Sequence, residues 1–589
     1  MATRMFDIFE ARSAEDPQSV IMAAKENGHW RTYTSQEVWD TARLLAGGLQ
    51  SIGIDNGNGT PEAQEKIALI SGNRPEWMIT DLATQLTGAV LTPLYPTISP
   101  QEMEFVLREA GVRKIFISDK ELYRRFKDAL SKLPGPLEIF SFDPVAGIRP
   151  WTELTALQQQ PDDALINSIT PASLATIIYT SGTTGAPKGV MLSHHNIVSN
   201  VNAALPVFTF ATPGDKTLSF LPLNHIFERT ILYIYTAAGL QTWFAENMES
   251  IGNNMKEVQP FVFTTVPRLL EKVYEKIVGK GLELKGVKKA LFFWALNLAK
   301  QYDNAKDMGA WYNLQLKLAN KLIFSKWREA LGGRVMAIVS GSAALQERLI
   351  RIFTAAGVVI MEGYGLTETS PVVSVNRFES EGRRVGTIGP VIEGVTVKLA
   401  DDGEILCKGP NIMMGYYKRP EQTEEALRDG WFHTGDIGKW VEDRFLKITD
   451  RKKEIFKTSG GKYVAPQAIE NKMRESIYIE QIMVVGANRK LVSALIVPSF
   501  LQLRHHLKEK GLPVPESNQA LIALPEVKQL IRQQLDKYNP LFGHVEQVKK
   551  FTLLPSEWSI DQGELTPSLK IKRKVVEEKY SDAIEAMYA

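Results

Sequence analysis

Cysteine is almost absent from this chain. The 589 residues contain one cysteine, Cys407, in the segment GEILCKGP. A single cysteine excludes an internal disulfide framework and is typical of a protein from a reducing compartment. Because a free cysteine behaves as a small hydrophobic residue, we expect Cys407 to be buried.

The chain also lacks an excess of charge of either sign. It has 69 Lys and Arg residues against 67 Asp and Glu residues, which gives a formal net charge of +2. A dedicated nucleic-acid-binding protein normally has a clear basic excess, so this class is disfavoured. Apolar residues make up 44% of the chain and charged residues 23%, which is the balance of an ordinary globular protein.

Long apolar runs are missing as well. The longest candidate, ALFFWALNLA (290–299), is shorter than the ~18 residues that a membrane-spanning helix needs. The first residues, MATRMFDIFEARSAEDP, have acidic side chains where a secretory signal peptide needs an apolar core. No lipidation motif, fixed-period repeat or low-complexity tract is visible. We therefore expect a cytoplasmic protein, with peripheral membrane contact left open.

A loop rich in hydroxyl groups and glycine, YTSGTTGAPKGV (179–190), follows a short apolar run. Its hydroxyls, its glycine N–H groups and Lys188 are suited to bind phosphate. The standard phosphate loop places Ser or Thr directly after the lysine and continues into a helix. Here Gly189 follows the lysine and residues 190–192 predict a strand, which disfavours a kinase or motor ATPase. A polar surface hairpin would show the same cluster.

Alternating helical and strand-like patterns predict an α/β fold over residues 1–449. VWDTARLLAGGLQSIGI has the pattern of an amphipathic helix, EKIALI that of a strand, and PEWMITDLATQLTGAVLTPLYP that of a helix and a strand. This order favours layers packed around a largely parallel sheet. Residues 268–331 have a helical period, and we expect this helical insertion between strand-like segments to be broken at Gly279, Gly281 and Gly286. Residues 385–409 alternate with period two and predict an antiparallel β subdomain.

A domain boundary is predicted at Asp450, where the charged and Gly-rich segment DRKKEIFKTSGGKYVAP begins. A helix, a strand pair, two helices and a basic tail are expected after it, which predicts a small α+β domain over residues 450–589. The predicted architecture is therefore a large, multi-layered α/β N-terminal domain with a β subdomain, followed by this small C-terminal domain.

Several further motifs follow the loop 179–190 in a fixed order. They are LPLNHIFERT (221–230), SGSAAL (340–345), EGYGLTETSP (362–371), HTGDIG (433–438), DRKKEIFKTSGGKYVAP (450–466) and LTPSLKIKRK (565–574). In this order they resemble the motifs of the adenylate-forming superfamily, which includes acyl-CoA synthetases, luciferases and peptide-synthetase adenylation domains. The resemblance covers essentially the whole chain. It is greatest to long-chain fatty acid–CoA ligases, and it implies the adenylate-forming enzyme fold with a mobile C-terminal domain.

The resemblance implies a reaction in two steps. A fatty carboxylate attacks the α-phosphate of ATP and pyrophosphate leaves, after which the thiol of coenzyme A displaces AMP from the acyl-adenylate. Because the first step brings two anions together, cations and hydrogen-bond donors must neutralise their charge. The catalytic residues that the resemblance implies are His225, Lys188, Thr367, Glu368 and Lys570. Mg²⁺ would be held by Glu368 together with Thr184.

The resemblance also implies a site for the nucleotide and for coenzyme A. Tyr364 would lie along the adenine plane, and Gly341 to Ala343 would form the opposite edge. Asp436 would accept hydrogen bonds from both ribose hydroxyls, since an ionised carboxylate only accepts. The residues implied to bind ATP or coenzyme A are Thr180, Ser181, Gly182, Thr183, Thr184, Gly185, Lys188, Gly341, Ser342, Ala343, Glu362, Gly363, Tyr364, Gly365, Thr367, Asp436, Ile448, Arg451, Lys457, Gly460 and Gly461.

The family's C-terminal catalytic lysine corresponds to Lys570. The family often has Ser-Gly-Lys at this point, whereas this chain has Leu569 before the lysine. The neighbouring basic residues 572–574 leave a different alignment open. Lys570 would bridge the carboxylate and the α-phosphate in the first step.

The same lysine would obstruct the thiol in the second step. The family avoids this conflict by rotating its small domain between the two steps, and residues at an element boundary absorb such a rotation. The implied hinge is 450–453, with Asp450 and with Lys453 as the pivot. Gly460 and Gly461 would leave room for the pantetheine arm of coenzyme A.

The insertion 268–331 has apolar side chains that are suited to line an acyl tunnel, with Trp243 as its gate. Such a tunnel would gain ~0.8 kcal/mol for each buried CH₂ group. The same apolar stripe would also fit an ordinary core. The segment KGVKKALFFWALNLAKQYD (285–303) has basic residues beside aromatic ones, which predicts peripheral membrane contact and equally well a packed core helix.

The leading prediction is an ATP- and Mg²⁺-dependent long-chain fatty acid–CoA ligase whose partners are the fatty acid, ATP and coenzyme A. A fatty acyl-AMP ligase or an acyl-carrier-protein synthetase would keep the first step and change the acceptor. A non-catalytic nucleotide- or lipid-binding protein on the same scaffold is the alternative from another class. The joint presence of Lys188, Glu368, Asp436, Arg451 and Lys570 disfavours this last alternative. The oligomeric state is left open, and a homodimer is compatible with the sequence.

Overall fold

The structure is a computed structural model that describes residues 2–180, 187–560, 562–566 and 570–589. Residues 181–186 of the phosphate-loop motif and residues 567–569 of the C-terminal motif lie outside this described part. Within the described ranges, no helix is both long enough and apolar enough to cross a membrane.

The described residues include twenty-five strands in five sheets. In chain order the strands are β1 Val20–Glu26, β2 His29–Thr34, β3 Lys66–Ile70, β4 Val90–Leu94, β5 Lys114–Ile117, β6 Glu138–Ser141, β7 Arg149–Pro150, β8 Leu174–Thr180, β9 Lys188–Ser193, β10 Lys216–Ser219, β11 Gln241–Phe244, β12 Val262–Thr265, β13 Ala337–Ser340, β14 Val359–Gly365, β15 Val372–Val375, β16 Thr396–Leu399, β17 Glu404–Lys408, β18 Gly415–Tyr416, β19 Phe432–Val441, β20 Phe445–Arg451, β21 Phe456–Lys457, β22 Tyr463–Val464, β23 Ile479–Val485, β24 Val492–Pro498 and β25 Val548–Leu553.

Twenty-two α-helices connect or cover these strands in the described ranges. They are α1 Met5–Glu15, α2 Ser35–Ser51, α3 Pro75–Leu86, α4 Pro100–Ala110, α5 Lys120–Leu130, α6 Thr152–Ala156, α7 Asp163–Ser168, α8 His194–Ala204, α9 Ile226–Ala237, α10 Ile251–Val258, α11 Pro267–Glu283, α12 Gly286–Lys300, α13 Gly309–Ala319, α14 Ser325–Ala330, α15 Glu347–Ala355, α16 Pro420–Ala426, α17 Pro466–Met473, α18 Phe500–Glu509, α19 Asn518–Ala523, α20 Pro525–Tyr538, α21 Arg573–Lys579 and α22 Ser581–Tyr588.

Two eight-stranded sheets form the centre of the N-terminal part. The first has the order β15-β14-β13-β12-β10-β11-β1-β2, with parallel pairing from β14 to β1 and antiparallel strands at both edges. The second has the order β18-β9-β8-β4-β3-β5-β6-β7 and is parallel from β8 to β7. Strands β3 and β4 are buried along their whole length, as expected for parallel strands covered on both faces. The predicted α/β class is therefore confirmed.

The predicted antiparallel β unit is a separate four-stranded sheet, β16-β17-β19-β20, in which all pairs run antiparallel. Strand β20 ends at Arg451, close to the predicted domain boundary. The residues beyond it contain the hairpin β21-β22, the sheet β23-β24-β25 and helices α17 to α22. The position of the boundary itself stays a prediction.

The helical insertion differs from the expectation at two of its three glycines. Only Gly286 begins a new helix, whereas Gly279 and Gly281 lie inside the continuous helix α11. A Cβ atom at Gly281 would lie 2.1 Å from the ring of Phe292 on α12. This glycine therefore permits close helix packing, and the i→i−4 hydrogen bonds of the helix offset the weak helix propensity of glycine.

A fully buried ion pair fixes helix α9, which begins directly after His225. Arg229 on α9 donates from Nε to Asp81 Oδ2 on α3 at 2.9 Å, and neither side chain is exposed to solvent. The Tyr233 hydroxyl donates to the same Asp81 oxygen at 2.9 Å. Buried charges are tolerated only when they are paired and hydrogen-bonded. The network therefore holds α9 in one position against α3.

Candidate functional site

One group of the predicted site residues lies where parallel strands of the first sheet end. Strand β13 ends at Ser340 and leads into the segment 341–343, and β14 ends at Gly365 before Thr367 and Glu368. Strand β10 of the same sheet ends at Ser219, six residues before His225. In open α/β sheets, ligands bind in the crevice outside the carboxyl ends of the strands. The fold therefore brings together segments that are far apart in the sequence.

Two antiparallel strands flank the phosphate-loop motif. Thr180 is the last residue of β8, Lys188 is the first residue of β9, and the two residues are paired in register. Lys188 Nζ lies 5.0 Å from the centroid of the Tyr416 ring, which is within the range of a cation–π interaction. The predicted loop residues Ser181, Gly182, Thr183, Thr184 and Gly185 lie outside the described residues.

Tyr416 also contacts Glu368, the predicted magnesium ligand. Its hydroxyl donates to Glu368 Oε1 at 2.9 Å, and burial raises the pKa of the Tyr416 phenol well above its ordinary value. The phenol therefore remains a hydrogen-bond donor at neutral pH. Tyr416 was not predicted from the sequence. The signal that could have indicated it is the pair of tyrosines that follows a glycine in the segment MMGYY. The neighbouring Thr367 is part of the short 3₁₀ turn Thr367–Thr369.

The site offers a magnesium ion one carboxylate ligand, that of Glu368, and not a complete set of protein ligands. Within the described ranges, no group of three or more His, Cys, Asp and Glu side chains is arranged to hold a metal ion. Mg²⁺ is commonly bound by one or two carboxylates and completes its octahedron with waters and substrate phosphates. Glu368 beside the phosphate-loop strands therefore fits a magnesium ion that is bound together with a nucleotide.

Asp436 is the centre of a buried polar group on β19. Its Oδ2 accepts a hydrogen bond from the Tyr364 hydroxyl at 2.7 Å, and its Oδ1 accepts one from Arg451 Nε at 3.0 Å. Each carboxylate oxygen can accept more than one hydrogen bond, so both retain capacity for ribose hydroxyls. Tyr364, Asp436 and Arg451, which the family resemblance assigns to the nucleotide site, thus form one connected network.

The opposite edge of the predicted nucleotide site is formed by the turn after β13. Gly341 donates its N–H to the Thr265 carbonyl at 3.2 Å, and Ser342 has a left-handed φ of 69°. Glu362 on β14 is buried and accepts a hydrogen bond from the Leu345 N–H at 2.9 Å. Burial raises the pKa of Glu362 to about 8. Its carboxyl is therefore largely protonated at neutral pH.

The remaining predicted residues of this edge are glycines and one small side chain. A Cβ at Gly365 would lie 1.6 Å from the Pro371 carbonyl oxygen, whereas one at Gly363 would reach only ordinary contact with Val375. The turn residue Ala343 is exposed. Gly365 is therefore the position at which close backbone approach requires glycine.

His225 caps α9 with its side chain. Its Nδ1 accepts the N–H of Phe227 at 3.1 Å, which leaves the proton of a neutral imidazole on Nε2. Burial lowers the pKa of His225 to about 4, and the nearby charge of Lys570 contributes to this lowering. At neutral pH the ring is therefore an uncharged hydrogen-bond donor.

Lys570 lies close to the residues at the strand ends. Burial lowers its pKa to about 8; Arg451 also lowers it, while Asp436 and Glu368 raise it. Among the neighbouring basic residues, Arg573 donates to Glu454 at 2.9 Å, and Lys574 is exposed at the surface. The charges of Asp436, Arg451 and Glu368 act on the pKa of Lys570, which places its ammonium near these three side chains.

The predicted hinge and coenzyme A residues lie at or beyond the end of β20. Asp450 is buried, and burial raises the pKa of its carboxyl to about 7. Lys453 is exposed in the turn after β20. Exposed residues also form the end of β21 and the turn that connects it to β22: Lys457, Gly460 and Gly461. Ile448 lies on β20 and pairs with Gly438.

Helix α11 contacts the C-terminal part through charged side chains. Arg268 pairs with Glu480 on β23, and Arg474 NH1 lies 3.3 Å from Glu271 Oε1. Burial raises the pKa of Glu275 to about 8, and the charge of Glu480 contributes to this rise. These contacts join the two parts of the chain while Lys570 is near Asp436.

A small apolar cavity of about 50 Å³ lies beside the site. Its lining includes His225, Gly341, Ser342, Gly363, Tyr364 and Gly365, together with apolar side chains of α8, α9 and their connection. Trp243, the predicted gate, is instead packed on β11 with its ring 5.0 Å from that of Trp30. Neither Trp243 nor any residue of the insertion 268–331 is among the residues that line this cavity. The gate and the insertion tunnel stay predictions.

Comparisons with protein families place known domains over almost the whole chain. The family described as AMP-binding enzyme matches residues 9–417, and the AMP-binding enzyme C-terminal domain matches residues 453–589. The first range includes Tyr364, Glu368 and the strand ends of the first sheet, and the second includes Lys570. Asp436 and the predicted boundary at Asp450 lie between the two ranges.

Individual proteins agree with the family matches. The long-chain-fatty-acid–CoA ligase FadD15 of Mycobacterium bovis is 34% identical over 99% of this chain and 96% of its own length. The long-chain-fatty-acid–CoA ligase 5 of Rattus norvegicus is 33% identical over 100% of this chain and 89% of its own. The structure of a Mycobacterium tuberculosis fatty acyl CoA synthetase has a TM-score of 0.65 and 19% identity, and the alignment covers 99% of each chain.

Proposed function

The chain belongs to the family of AMP-binding enzymes, and we propose that it is a long-chain fatty acid–CoA ligase. It joins a long-chain fatty acid to coenzyme A through an acyl-adenylate, with ATP converted to AMP and pyrophosphate. Similarity to long-chain-fatty-acid–CoA ligases over essentially the full length supports this substrate class. The observation that carries the chemistry is the position of Lys570, whose pKa responds to Asp436, Arg451 and Glu368.

In the first step the protein must hold a carboxylate against the α-phosphate of ATP. We propose that Lys570 and the Nε2–H of His225 face the two reacting anions, while Asp436 and Arg451 hold the ribose. Each charge-assisted hydrogen bond of this kind is shorter and stronger than a neutral one. A Mg²⁺ ion, when bound by Glu368 and the phosphates, would neutralise the charge of the leaving pyrophosphate.

Lys188 and Tyr416 support this arrangement from the side of the phosphate loop. Lys188 would bind the departing phosphates, and its ammonium is already oriented by the Tyr416 ring at 5.0 Å. The Tyr416 hydroxyl fixes one oxygen of Glu368 at 2.9 Å, which leaves the other oxygen for the metal. Pre-oriented donors lower the reorganisation that the transition state requires.

The second step requires that Lys570 leave the site. We propose that the C-terminal part rotates about Asp450 and Lys453, so that Gly460 and Gly461 approach the pantetheine arm. The ion pairs Arg268–Glu480 and Arg474–Glu271 would break in this rotation. A hinge at the end of β20 suits such a change, because element ends absorb changes in φ and ψ.

The acyl chain would enter the cavity between α8 and α9. At about 50 Å³ this cavity is smaller than the ~150 Å³ that accommodates a benzene molecule in other proteins. Side chains such as Phe208 and Phe227 must therefore move to admit a long chain. The proposed substrate would compensate for this movement because each buried CH₂ group contributes ~0.8 kcal/mol.

The experiment that tests the function measures AMP and pyrophosphate release with ATP, Mg²⁺ and carboxylates from acetate to arachidate, with and without coenzyme A. Release that requires both coenzyme A and a long-chain acid supports the ligase. Release of pyrophosphate without AMP, whether or not coenzyme A is present, indicates an acyl-AMP ligase or a carrier-protein acceptor. No release with any acid overturns the proposal in favour of a binding protein. Size-exclusion chromatography with light scattering tests the homodimer, which stays a prediction.

A further inference from the structure

Helix α13, in the insertion, has an apolar face that is not covered by the described residues. The side chains of Trp311, Leu314, Leu318 and Leu322 are exposed by 72%, 58%, 49% and 41%. They recur every three or four residues along α13 and the π-helical turn Asn320–Phe324, which places them on one side of the helix. These four residues are called the α13 face below.

The opposite side of α13 packs against the core of the protein. Tyr312 and Ala319 are buried, and the Tyr312 hydroxyl donates to the Leu298 carbonyl on α12 at 3.1 Å. Leu316 and Ile323 pack against the same core cluster. The helix is therefore anchored by its inner side, and the α13 face is not needed for that packing.

The charged side chains of the segment that contains the α13 face are all lysines. Residues 309–327 contain Lys317, Lys321 and Lys326 but no Asp or Glu. All three lysines are exposed, and within the described ranges none of them forms an ion pair. An apolar helix face with Trp and Leu, flanked by unpaired lysines, has the composition of helices that lie in a membrane interface.

The neighbouring helix α12 also has an exposed apolar residue between lysines. Trp294 Nε1 donates to Gln315 Oε1 at 3.3 Å, and Tyr312 contacts Leu298, so α12 and α13 run antiparallel. The start of α12 therefore lies toward the end of α13 that has Leu322. At this start Val287 is 75% exposed. It is flanked by the exposed lysines Lys285 and Lys288.

We propose that the α13 face docks on the surface of an anionic phospholipid bilayer. Its apolar side chains would enter the boundary between headgroups and acyl chains, and the lysines would contact lipid phosphates. A second copy of the chain fits this surface less well, because face-to-face docking would bring two sets of unpaired lysines together. The docking itself is independent of the proposed function, which it would serve by bringing the enzyme to membrane-dissolved fatty acids.

The test is co-sedimentation of the full-length protein with vesicles of phosphatidylcholine, with or without phosphatidylglycerol. The proposal expects binding that requires phosphatidylglycerol and weakens as salt is raised. The double variant Leu314→Gln/Leu318→Gln should bind about tenfold or more weakly, because two exposed leucines no longer enter the lipid. Lys317→Gln/Lys321→Gln should bind roughly 25-fold more weakly, at about fivefold for each lysine. The matched control is Leu501→Gln, which changes a leucine on α18 that is 69% exposed.

Three results would overturn the proposal. If the double variants bind vesicles as well as the wild type, the α13 face is not the docking surface. The same conclusion follows if Leu501→Gln weakens vesicle binding as much as the double variants do. A dimer in light scattering that the Leu314→Gln/Leu318→Gln variant dissociates would identify a second copy as the occupant. Thioester formation from a short, soluble fatty acid is measured in parallel. Normal turnover with lost vesicle binding separates failure of docking from failure of the ligase.

Discussion

Tyr416 donates a hydrogen bond to Glu368 at 2.9 Å, although 48 residues separate them in the sequence. Strand β18, which ends with Tyr416, pairs with β9, which begins with Lys188. One tyrosine thus contacts the carboxylate that is proposed to hold magnesium and the ammonium that is proposed to hold the leaving phosphates. Tyr416 is therefore a positioning residue in the proposed site.

The first prediction concerns this hydrogen bond. Tyr416→Phe should raise the KM for Mg²⁺-ATP about tenfold, because a hydrogen bond to a charged group contributes about 1.5–3 kcal/mol. The Mg²⁺ dependence of the rate should shift in the same direction. The control is Tyr417→Phe, which removes a hydroxyl from the next residue, a buried tyrosine. An unchanged Mg²⁺ dependence in Tyr416→Phe would show that Glu368 does not need this partner.

The second prediction assigns the catalytic lysine. Lys570→Ala should lower ATP-dependent adenylation by about a hundredfold or more, because a charge that stabilises the transition state is lost. Thioester formation from supplied acyl-adenylate and coenzyme A should be largely spared. Lys574→Ala, which changes an exposed lysine of the same segment, should leave both half-reactions intact. Equal loss of both half-reactions in Lys570→Ala would point to a different role.

The third prediction concerns pH. Burial lowers the pKa of Lys570 to about 8, so the ammonium loses its proton as the pH rises through this value. The kcat/KM for ATP in adenylation, which reports the free enzyme, should fall about tenfold per pH unit above it. His225, with its pKa lowered to about 4, stays neutral throughout this range. Lys570→Arg should be slower but should lose the alkaline decline, because arginine stays charged. The same decline in Lys570→Arg would mean that another group titrates.

The fourth prediction tests the contact between α11 and the C-terminal part. Arg268→Gln leaves the carboxylate of Glu480 beside Glu275 without its cationic partner. The orientation of the C-terminal part that keeps Lys570 near Asp436 should therefore become less stable. Adenylation should therefore slow several-fold, while thioester formation from supplied acyl-adenylate should stay equal or rise. Lys289→Gln removes a more exposed pair with Glu509 and should change neither rate, since such pairs contribute about 0–1 kcal/mol. A parallel loss of both half-reactions would contradict this role of Arg268.

The fifth prediction concerns stability. Asp81→Ala leaves Arg229 buried without its partner and should lower the free energy of unfolding by about 3–5 kcal/mol. The double variant Asp81→Leu/Arg229→Met should recover part of this loss, because no buried charge is then left unpaired, although the Tyr233 hydroxyl still lacks its acceptor. Urea unfolding followed by tryptophan fluorescence measures both variants. If the double variant is as unstable as the single one, packing rather than unpaired charge explains the loss.

Local pattern in the sequence was sufficient for the fold class and for the first helices and strands. The apolar period that predicted a helix from residue 38 corresponds to α2, whose start is set by Thr34, which accepts the Glu37 N–H. The alternation of helices and strands predicted a largely parallel sheet, whereas the fold has two such sheets. The order of the motifs identified the family, although the residues of its nucleotide site come from three different sheets.

Tertiary structure alone decided which distant residues meet and which faces stay open. The low helix propensity of glycine predicted a helix break at Gly281, whereas the structure places this residue in close contact with the ring of Phe292 on the next helix. Periodicity assigned an apolar face to the insertion without saying what covers it. The fold packs Phe292 into the core and leaves Trp311 exposed. The apolar period of a sequence determines which side chains share a face of a helix. What packs against that face depends on the strand order and the helix packing, which are set by contacts between residues far apart in the chain.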